Sequence, residues 1–370
     1  MDLQKGNHVL ISGASIAGLG AAWWMNQLGY RVTVVEMAPE PRITGAAVDF
    51  KGETIAVLKR MGLFDQLKKH RLHVDLVEFK NGDDLTEGSI RMADEGSDEI
   101  EIERDAFIGI LFRELQNDVT FLFNDSITAL HETGDGMTVH FKNGPQRSFH
   151  LVLGCDGVHS GVRRLWFGGE ADYAHFLNAY GSLTILNKPL IKPGTMQLFR
   201  VPGKSITLNA YRNNTDIIFS FVADSEIPYD YRNKEQQRQL ILEQFAGQSW
   251  RTAELLAEME QADNFYFVEF YQIKMPSWTK GRVALVGDAA YCASPAAGMG
   301  GSLAMSGAAA LADAFQKNDG NIESAFQDYN KNFRPFIERV QAEARQNLST
   351  VFLPRTEEGV QKGNAQTTPF

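Results

Sequence analysis

The chain has 370 residues, 44 % of them hydrophobic and 22 % charged, an ordinary globular composition that excludes disorder and collagen-like structure. A single core stops growing near ~250–300 residues, so the length predicts two domains. Lysine plus arginine number 36 against 46 aspartate plus glutamate, a net charge of −10, and an acidic chain without a basic stripe argues against nucleic acid and anionic membrane as partners.

Only two cysteines occur, Cys155 and Cys292, too few for a secreted disulfide scaffold, so the expected compartment is the reducing cytoplasm. No stretch reaches the ~18–20 uncharged apolar residues that a membrane span requires. Residues 8–25 come nearest, but glycines and serines break the run and a strand follows, which argues against a signal peptide. A monomer that acts on a small molecule is expected.

Residues 9–11 form a β-branched run, followed by glycines and a helical pattern over 17–28 that Gly29 should stop in the left-handed conformation. A second buried-strand run, 32–35, ends at Glu36. This is a βαβ unit of the parallel-sheet type. The pattern over 52–70 predicts one helix and 106–115 another, with strands over 119–123, 126–131, 136–141 and 148–153. Strand-like runs at 180–186, 195–201, 205–211 and 216–222 then follow at hairpin spacing. Helices are predicted over 233–246 and 252–261 and a strand over 265–273. A buried strand returns at 282–286, an alanine-rich helix at 301–315, and a long helical pattern over 322–348 interrupted at Pro335. The tail from 356 onward reads as frayed. The fold class is α/β, with a nucleotide-binding domain at both ends of the chain and a β-rich domain inserted between.

Four segments carry the chemistry. Gly13-Ala-Ser15-Ile-Ala-Gly18 follows a strand and opens a helix, so backbone N–H groups and the positive helix end face a diphosphate. Ser15 stands where the fingerprint has its middle glycine. Glu36 ends the second strand 18 residues after Gly18, placed for a ribose hydroxyl, and an acid there favours FAD or NAD over NADP at this site. Arg104 begins a helix, where a cation opposes the dipole unless an anion lies nearby; a solvated surface arginine is the equal alternative. The segment from Cys155 through Asp156, Gly157, Ser160 and Arg163 could turn donors toward a dinucleotide, although a bare Asp-Gly is usually only a turn. Asp288 at a strand end, with the glycine loop Pro295, Gly298, Gly300, Gly301 before a helix, suits a polyol and a flat ring that becomes negative on reduction.

In this order the four segments resemble the FAD-dependent aromatic hydroxylases, the single-component class A flavoprotein monooxygenases, over nearly the whole chain. The segments Gly45-Ala-Ala-Val-Asp49-Phe-Lys51-Gly52 and 272–292 are most similar to the tetracycline-inactivating monooxygenases of that family (tetracycline destructases). The resemblance implies a Rossmann-like FAD-binding domain (1–75, 98–170 and 276–320), an inserted antiparallel β-sheet substrate domain (76–97 and 171–275), and a C-terminal helix and tail (321–370). It also implies that Gly13, Ser15 and Gly18 hold the FAD diphosphate and Glu36 the adenosine ribose. Arg42 and Arg104 would line the cleft, with Asp49 close to the flavin and Asp156 on the diphosphate side, serving the nicotinamide cofactor as well. Asp288 would hold the ribityl chain or diphosphate, and Pro295, Gly298, Gly300 and Gly301 would border the isoalloxazine. The implied activity uses NADPH or NADH and O₂ to hydroxylate an aromatic or polyketide compound through a flavin C4a-hydroperoxide. No protein nucleophile or metal is then needed. A non-oxygenating flavin reductase and a flavin-bound, ligand-sequestering protein are the alternatives.

Three positions depart from the family pattern. Met299 and Ser302 replace the glutamine and asparagine of the glycine loop, and Gly307 stands where the next helix commonly carries an acid. The tail is also short for a tetracycline-active relative. The aromatic residues Phe199, Tyr211, Phe219 and Phe221 could line a flat pocket or form ordinary core.

Overall fold

The structure is a computed structural model that describes residues 7–41, 45–92, 97–365. It contains two compact units: Met1–His70, Glu99–His175 and Tyr271–Gln341 form one, and Arg71–Asp98, Phe176–Phe270 and Ala342–Phe370 form the other. The C-terminal helix and tail over 321–370 are shared by the two units, with the division after Gln341.

The first unit is built on a six-stranded sheet. Its strands His8–Ser12, Arg31–Val35, Thr120–Leu122, Leu151–Gly154 and Val283–Leu285 run parallel, and Thr279–Lys280 pairs antiparallel at one edge. These strands are continuous apolar runs because both faces are covered, as parallel sheets require. Val9, Leu10, Ile11, Val152 and Leu153 are fully buried. The helix Ile16–Gln27 packs on the helix Gly300–Lys317. Gly20 allows the contact, since a Cβ there would meet Met305 Sδ at 2.9 Å and Ala308 Cβ at 3.5 Å. A short strand, Val48–Phe50, pairs antiparallel with Ile100–Ile102.

The second unit carries a seven-stranded sheet, antiparallel except where Thr195–Val201 runs parallel to Leu76–Lys80. The strands Leu76–Lys80 and Thr86–Arg91 are too polar and mixed to stand out in the sequence. The helices Lys234–Phe245 and Thr252–Gln261 lie over one face, and Tyr180, Phe199, Ile206, Phe219 and Phe221 pack beneath them with Ile241, Phe245 and Leu255. Phe199, Phe219 and Phe221 are therefore core. Asn209 and Asp216 are cross-strand partners, and strand alternation puts them, with Tyr211, on the opposite face.

Local differences from the sequence expectation have local causes. The expected helix over 52–70 is two, Glu53–Arg60 and Phe64–Lys68, because Gly62 takes the left-handed conformation at φ +71°. The expected strand over 148–153 is also two, Arg147–Phe149 and Leu151–Gly154, in separate sheets. The helix Ile322–Asn347 runs through Pro335, which removes one backbone hydrogen bond without ending it. The tail is not frayed up to Ala365: Glu357–Asn364 is a helix. Its Asn364 Oδ1 accepts from Arg200 Nε (3.2 Å) and Nη2 (2.7 Å), and Arg200 Nη1 donates to Val351 O. Arg200 is buried, which lowers its pKa to about 10. Residues 366–370 lie outside the described part.

Gly307, the departure from the acidic family pattern, has a packing reason. A Cβ there would lie 1.7 Å from the Tyr291 hydroxyl oxygen, and that hydroxyl accepts from Tyr329 Oη at 3.0 Å in a buried pair. Gly307→Ala should therefore cost about 1–3 kcal/mol through overpacking, measured by chemical denaturation. Adding Tyr291→Phe should recover part of that loss. Strictly additive costs would show that the hydroxyl is not the obstacle.

Candidate functional site

The site motifs cluster where chain segments leave the parallel strands of the first unit. Strand His8–Ser12 leads into Gly13 (φ +102°), whose N–H donates to Val35 O at 2.8 Å. A Cβ on Gly13 would meet Cys155 O at 2.6 Å, and one on Gly18 would lie 1.8 Å from Gly13 O. Both glycines are thus fixed by the approach of backbone to backbone, which brings the start of helix Ile16–Gln27 onto the sheet. Ser15 precedes that helix without capping it. Its Oγ instead accepts from Arg104 Nη2 at 2.7 Å.

Arg104 opens the helix Arg104–Leu115. It packs against Gly45, where a Cβ would sit 3.1 Å from Arg104 Cδ, and its charge reaches Asp288. The structure thus joins the arginine to both the fingerprint and the Gly-Asp segment, and the surface reading is set aside. Arg42 lies outside the described residues.

Glu36 is buried, and its carboxylate is engaged within the chain. Oε2 accepts from Ala14 N and Oε1 from Ala38 N, both at 2.9 Å. The strand-end acid therefore braces the fingerprint turn. Asp156 is likewise engaged in its own loop: Oδ2 accepts from Val162 N at 3.0 Å, and Oδ1 from the Ser160 hydroxyl. Burial pushes the Asp156 pKa up, and these hydrogen bonds pull it partly back. Ser160 in turn caps the helix Gly161–Trp166 by accepting from Arg163 N.

Arg163 was named in the sequence only as part of its motif. It is 1 % exposed, with Nη1 donating to Ala289 O at 2.9 Å and Nη2 to Val158 O at 2.5 Å. It therefore ties the Asp-Gly loop to the Gly-Asp segment. Burial lowers its pKa, opposed by Glu170 and Asp156. A buried arginine leaves no periodic signal, so its role was not legible.

Asp288 begins the short helix Asp288–Tyr291 after Gly287. Burial raises its pKa, while the Cys292 thiol and the Arg104 charge lower it. Burial also pushes the Cys155 and Cys292 thiols up, so both are neutral and fill core. Pro295 starts a 3₁₀ turn, Gly298 is left-handed at φ +57°, and the helix Gly300–Lys317 follows. A Cβ on Gly300 would meet nothing within 4 Å, whereas one on Gly301 would touch Val48 and Phe50 at 3.3 Å. Ser302 Oγ donates to Asp49 O at 2.9 Å and accepts from Lys51 N at 3.2 Å. The serine that replaces the family's asparagine thus fastens the loop to the Asp49 strand.

These residues fit a flavin dinucleotide on structural grounds. The helices Ile16–Gln27 and Gly300–Lys317 lie side by side, and neither has an acidic residue in its first turn or a side-chain cap among the described residues. Two positive helix ends with no acid in their own first turns, one after a phosphate-type turn and one opened by an unobstructed glycine, suit a diphosphate and a ring that gains negative charge.

A parallel sheet with this arrangement of turns defines a dinucleotide-binding α/β oxidoreductase. The chain belongs to the FAD binding domain family, which matches residues 7–344, and is an FAD-dependent monooxygenase. It is 38 % identical over 342 residues to an uncharacterized protein of Mycobacterium tuberculosis, covering 90 % of this chain and 91 % of the relative. It is 31 % identical over 345 residues to a flavin-dependent monooxygenase of Legionella longbeachae, covering 91 % and 87 %. Its fold matches the crystal structure of tetracycline destructase Tet(51) with a TM-score of 0.85 and 32 % identity, over 97 % of this chain and 94 % of that one. No helix among the described residues is long and apolar enough to cross a membrane.

Because Glu36 accepts two backbone N–H groups, Glu36→Ala should destabilise even the flavin-stripped protein, by about 1.5–3 kcal/mol. Urea unfolding of that form checks it. Unchanged stability with weaker FAD binding alone would show that the carboxylate serves the ligand only.

Proposed function

We propose that this chain holds one FAD across the first unit and uses NAD(P)H and O₂ to hydroxylate a flat aromatic or polyketide compound. The observation that carries the reading is a pair of helices in contact, neither with a side-chain cap or an acid in its first turn. Gly13, Ser15 and Gly18 present the diphosphate with backbone N–H groups, and Arg104, positioned by Ser15, adds a cation. Glu36 keeps the turn in place and reaches the adenosine ribose. Asp156 keeps the Asp-Gly loop shaped on the diphosphate side. Asp288 receives the ribityl chain, and Pro295, Gly298, Gly300 and Gly301 border the ring, with Asp49 nearby.

When bound, the flavin supplies hydride acceptance and oxygen activation. The chain's part is to bind, orient and balance charge. Arg104 lies close enough to Asp288 to lower the cost of keeping that carboxylate ionised in a buried place. The helix end at Gly300 offsets negative charge on the ring, and Ser302 holds that helix end against the Asp49 strand. No nucleophilic side chain is needed, in keeping with the two neutral buried thiols.

One comparison supports the substrate class: a solved relative with 32 % identity is a tetracycline destructase. The matching segments around Asp49 and 272–292 serve the cofactor more than the substrate, so the class is set at flat phenolic or multi-ring compounds, with tetracycline the first to try.

Asp288→Ala should lose FAD on purification from a wild-type protein that carries one FAD per chain. Gly300→Val should fold, because the space beside it is open, and should bind FAD poorly. Wild-type FAD content in both would refute the placement.

Turnover is tested with NADPH, O₂ and candidate compounds, following NADPH oxidation and product mass. Tetracycline or a phenol should gain one oxygen atom. Reduction without added oxygen would identify a reductase, and binding without stimulated NADPH oxidation a sequestering protein.

A further inference from the structure

The strand Val48–Phe50 lies directly beneath the glycine loop: Val48 and Phe50 are buried against Gly301, and alternation turns Asp49 to the other side. Ser302 clamps the backbone on both sides of Phe50, through Asp49 O and Lys51 N. The consequence is seen at Gly298. The direction a side chain would take from its left-handed backbone runs toward both Asp49 Oδ2 and Lys51 Nζ, each 3.9 Å from the Cβ position. A carboxyl and an ammonium thus converge on the turn that precedes the open helix end. Asp49 is held in a mostly desolvated place, which raises its pKa; Lys51 opposes this rise and Glu99 adds to it. The helix Gly300–Lys317 itself brings no acidic side chain to its first turn.

We propose that Lys51 is an electrostatic tuning residue for the flavin, its ammonium favouring the reduced ring and the neighbouring Asp49 carboxyl moderating that effect. The proposal rests on the placement of the ring at the 298–302 loop given above. Hydride from NAD(P)H leaves the oxidised nicotinamide and delivers two electrons and one proton, so a ring that takes up no second proton becomes an anion. A cation close to its edge, in a partly dry site, would stabilise that anion more than the neutral oxidised ring. The helix end does the same from the adjacent side. Because the Ser302 clamp fixes the backbone, Lys51 acts through charge and not by shaping the loop. It is a tuning residue with no bond to make or break.

The test is an anaerobic reductive titration of the FAD-loaded protein against a reference dye, which reads the two-electron midpoint potential independently of turnover. Lys51→Met should weaken the preference for reduced flavin about tenfold, a fall of about 30 mV for a two-electron couple. Lys51→Arg should hold the wild-type potential, and Asp49→Asn should raise it. Should Lys51→Met fold poorly, Lys51→Gln serves instead, with circular dichroism and FAD content as controls. A potential unchanged in the neutral variant used, while Asp288→Ala and Gly300→Val lose FAD, overturns the role of Lys51 alone. A fall in potential equal in Lys51→Arg and Lys51→Met also overturns it, since the effect would then be structural. Retention of FAD by Asp288→Ala and Gly300→Val would instead defeat the placement beneath it.

Discussion

At Gly18 a side chain would place its Cβ 1.8 Å from the carbonyl oxygen of Gly13, closer than any non-bonded contact allows. The first helix can start where it does only because no Cβ is present. From that contact the rest of the first unit follows. The helix descends onto the sheet, Gly13 closes on Cys155 and Val35, and the helix N-terminus stands at the ends of the parallel strands. A second close approach, at Gly20 against Met305 and Ala308, brings the alanine-rich helix alongside. Two positive ends then share one region, which like-signed ends adopt at a cost unless anionic groups offset them.

The charged side chains around this region are mostly occupied with one another or with backbone. Glu36 braces Ala14, Asp156 organises its own loop, Arg163 ties two motifs together, and Arg104 rests on Ser15 while reaching Asp288. This arrangement explains why residue types associated with ligand contact can be essential without all touching the ligand. A carboxylate that accepts two backbone N–H groups stabilises a turn in any liganded state. On the proposed placement, the backbone groups of that turn would meet the diphosphate. Replacing such a residue alters binding through preorganisation as well as through contact.

The parallel-sheet half of the fold was legible in the sequence because its strands are uninterrupted apolar runs and its turns carry glycines that steric contact requires. Gly29 takes the positive φ expected of it, and Gly13 and Gly287 take positive φ at their turns as well. What escaped was set by tertiary contact. Strands Leu76–Lys80 and Thr86–Arg91 are half polar, so alternation did not distinguish them from loop. Gly62 divides a helix whose apolar periodicity continues across it. The tail helix is polar in sequence yet inserts one amide, Asn364, against a buried Arg200, a contact between residues 164 positions apart. At the site, the pairing of Ser15 with Arg104 and the inward use of Arg163 join segments far apart in the chain. The apparent departures at Ser302 and Gly307 proved to be compensated locally, by a backbone clamp and by a tyrosine hydroxyl. No pattern in one sequence carries that information.

Where the flavin sits decides the proposed roles of these residues, and a crystal structure of the FAD-loaded chain measures that. The expected result has the diphosphate at the N-terminus of helix Ile16–Gln27, within hydrogen-bond reach of its backbone N–H groups, and the isoalloxazine edge against Gly298, Gly300 and Gly301. An FAD whose ring lies away from that loop, or whose diphosphate leaves the first helix end to water, would contradict it.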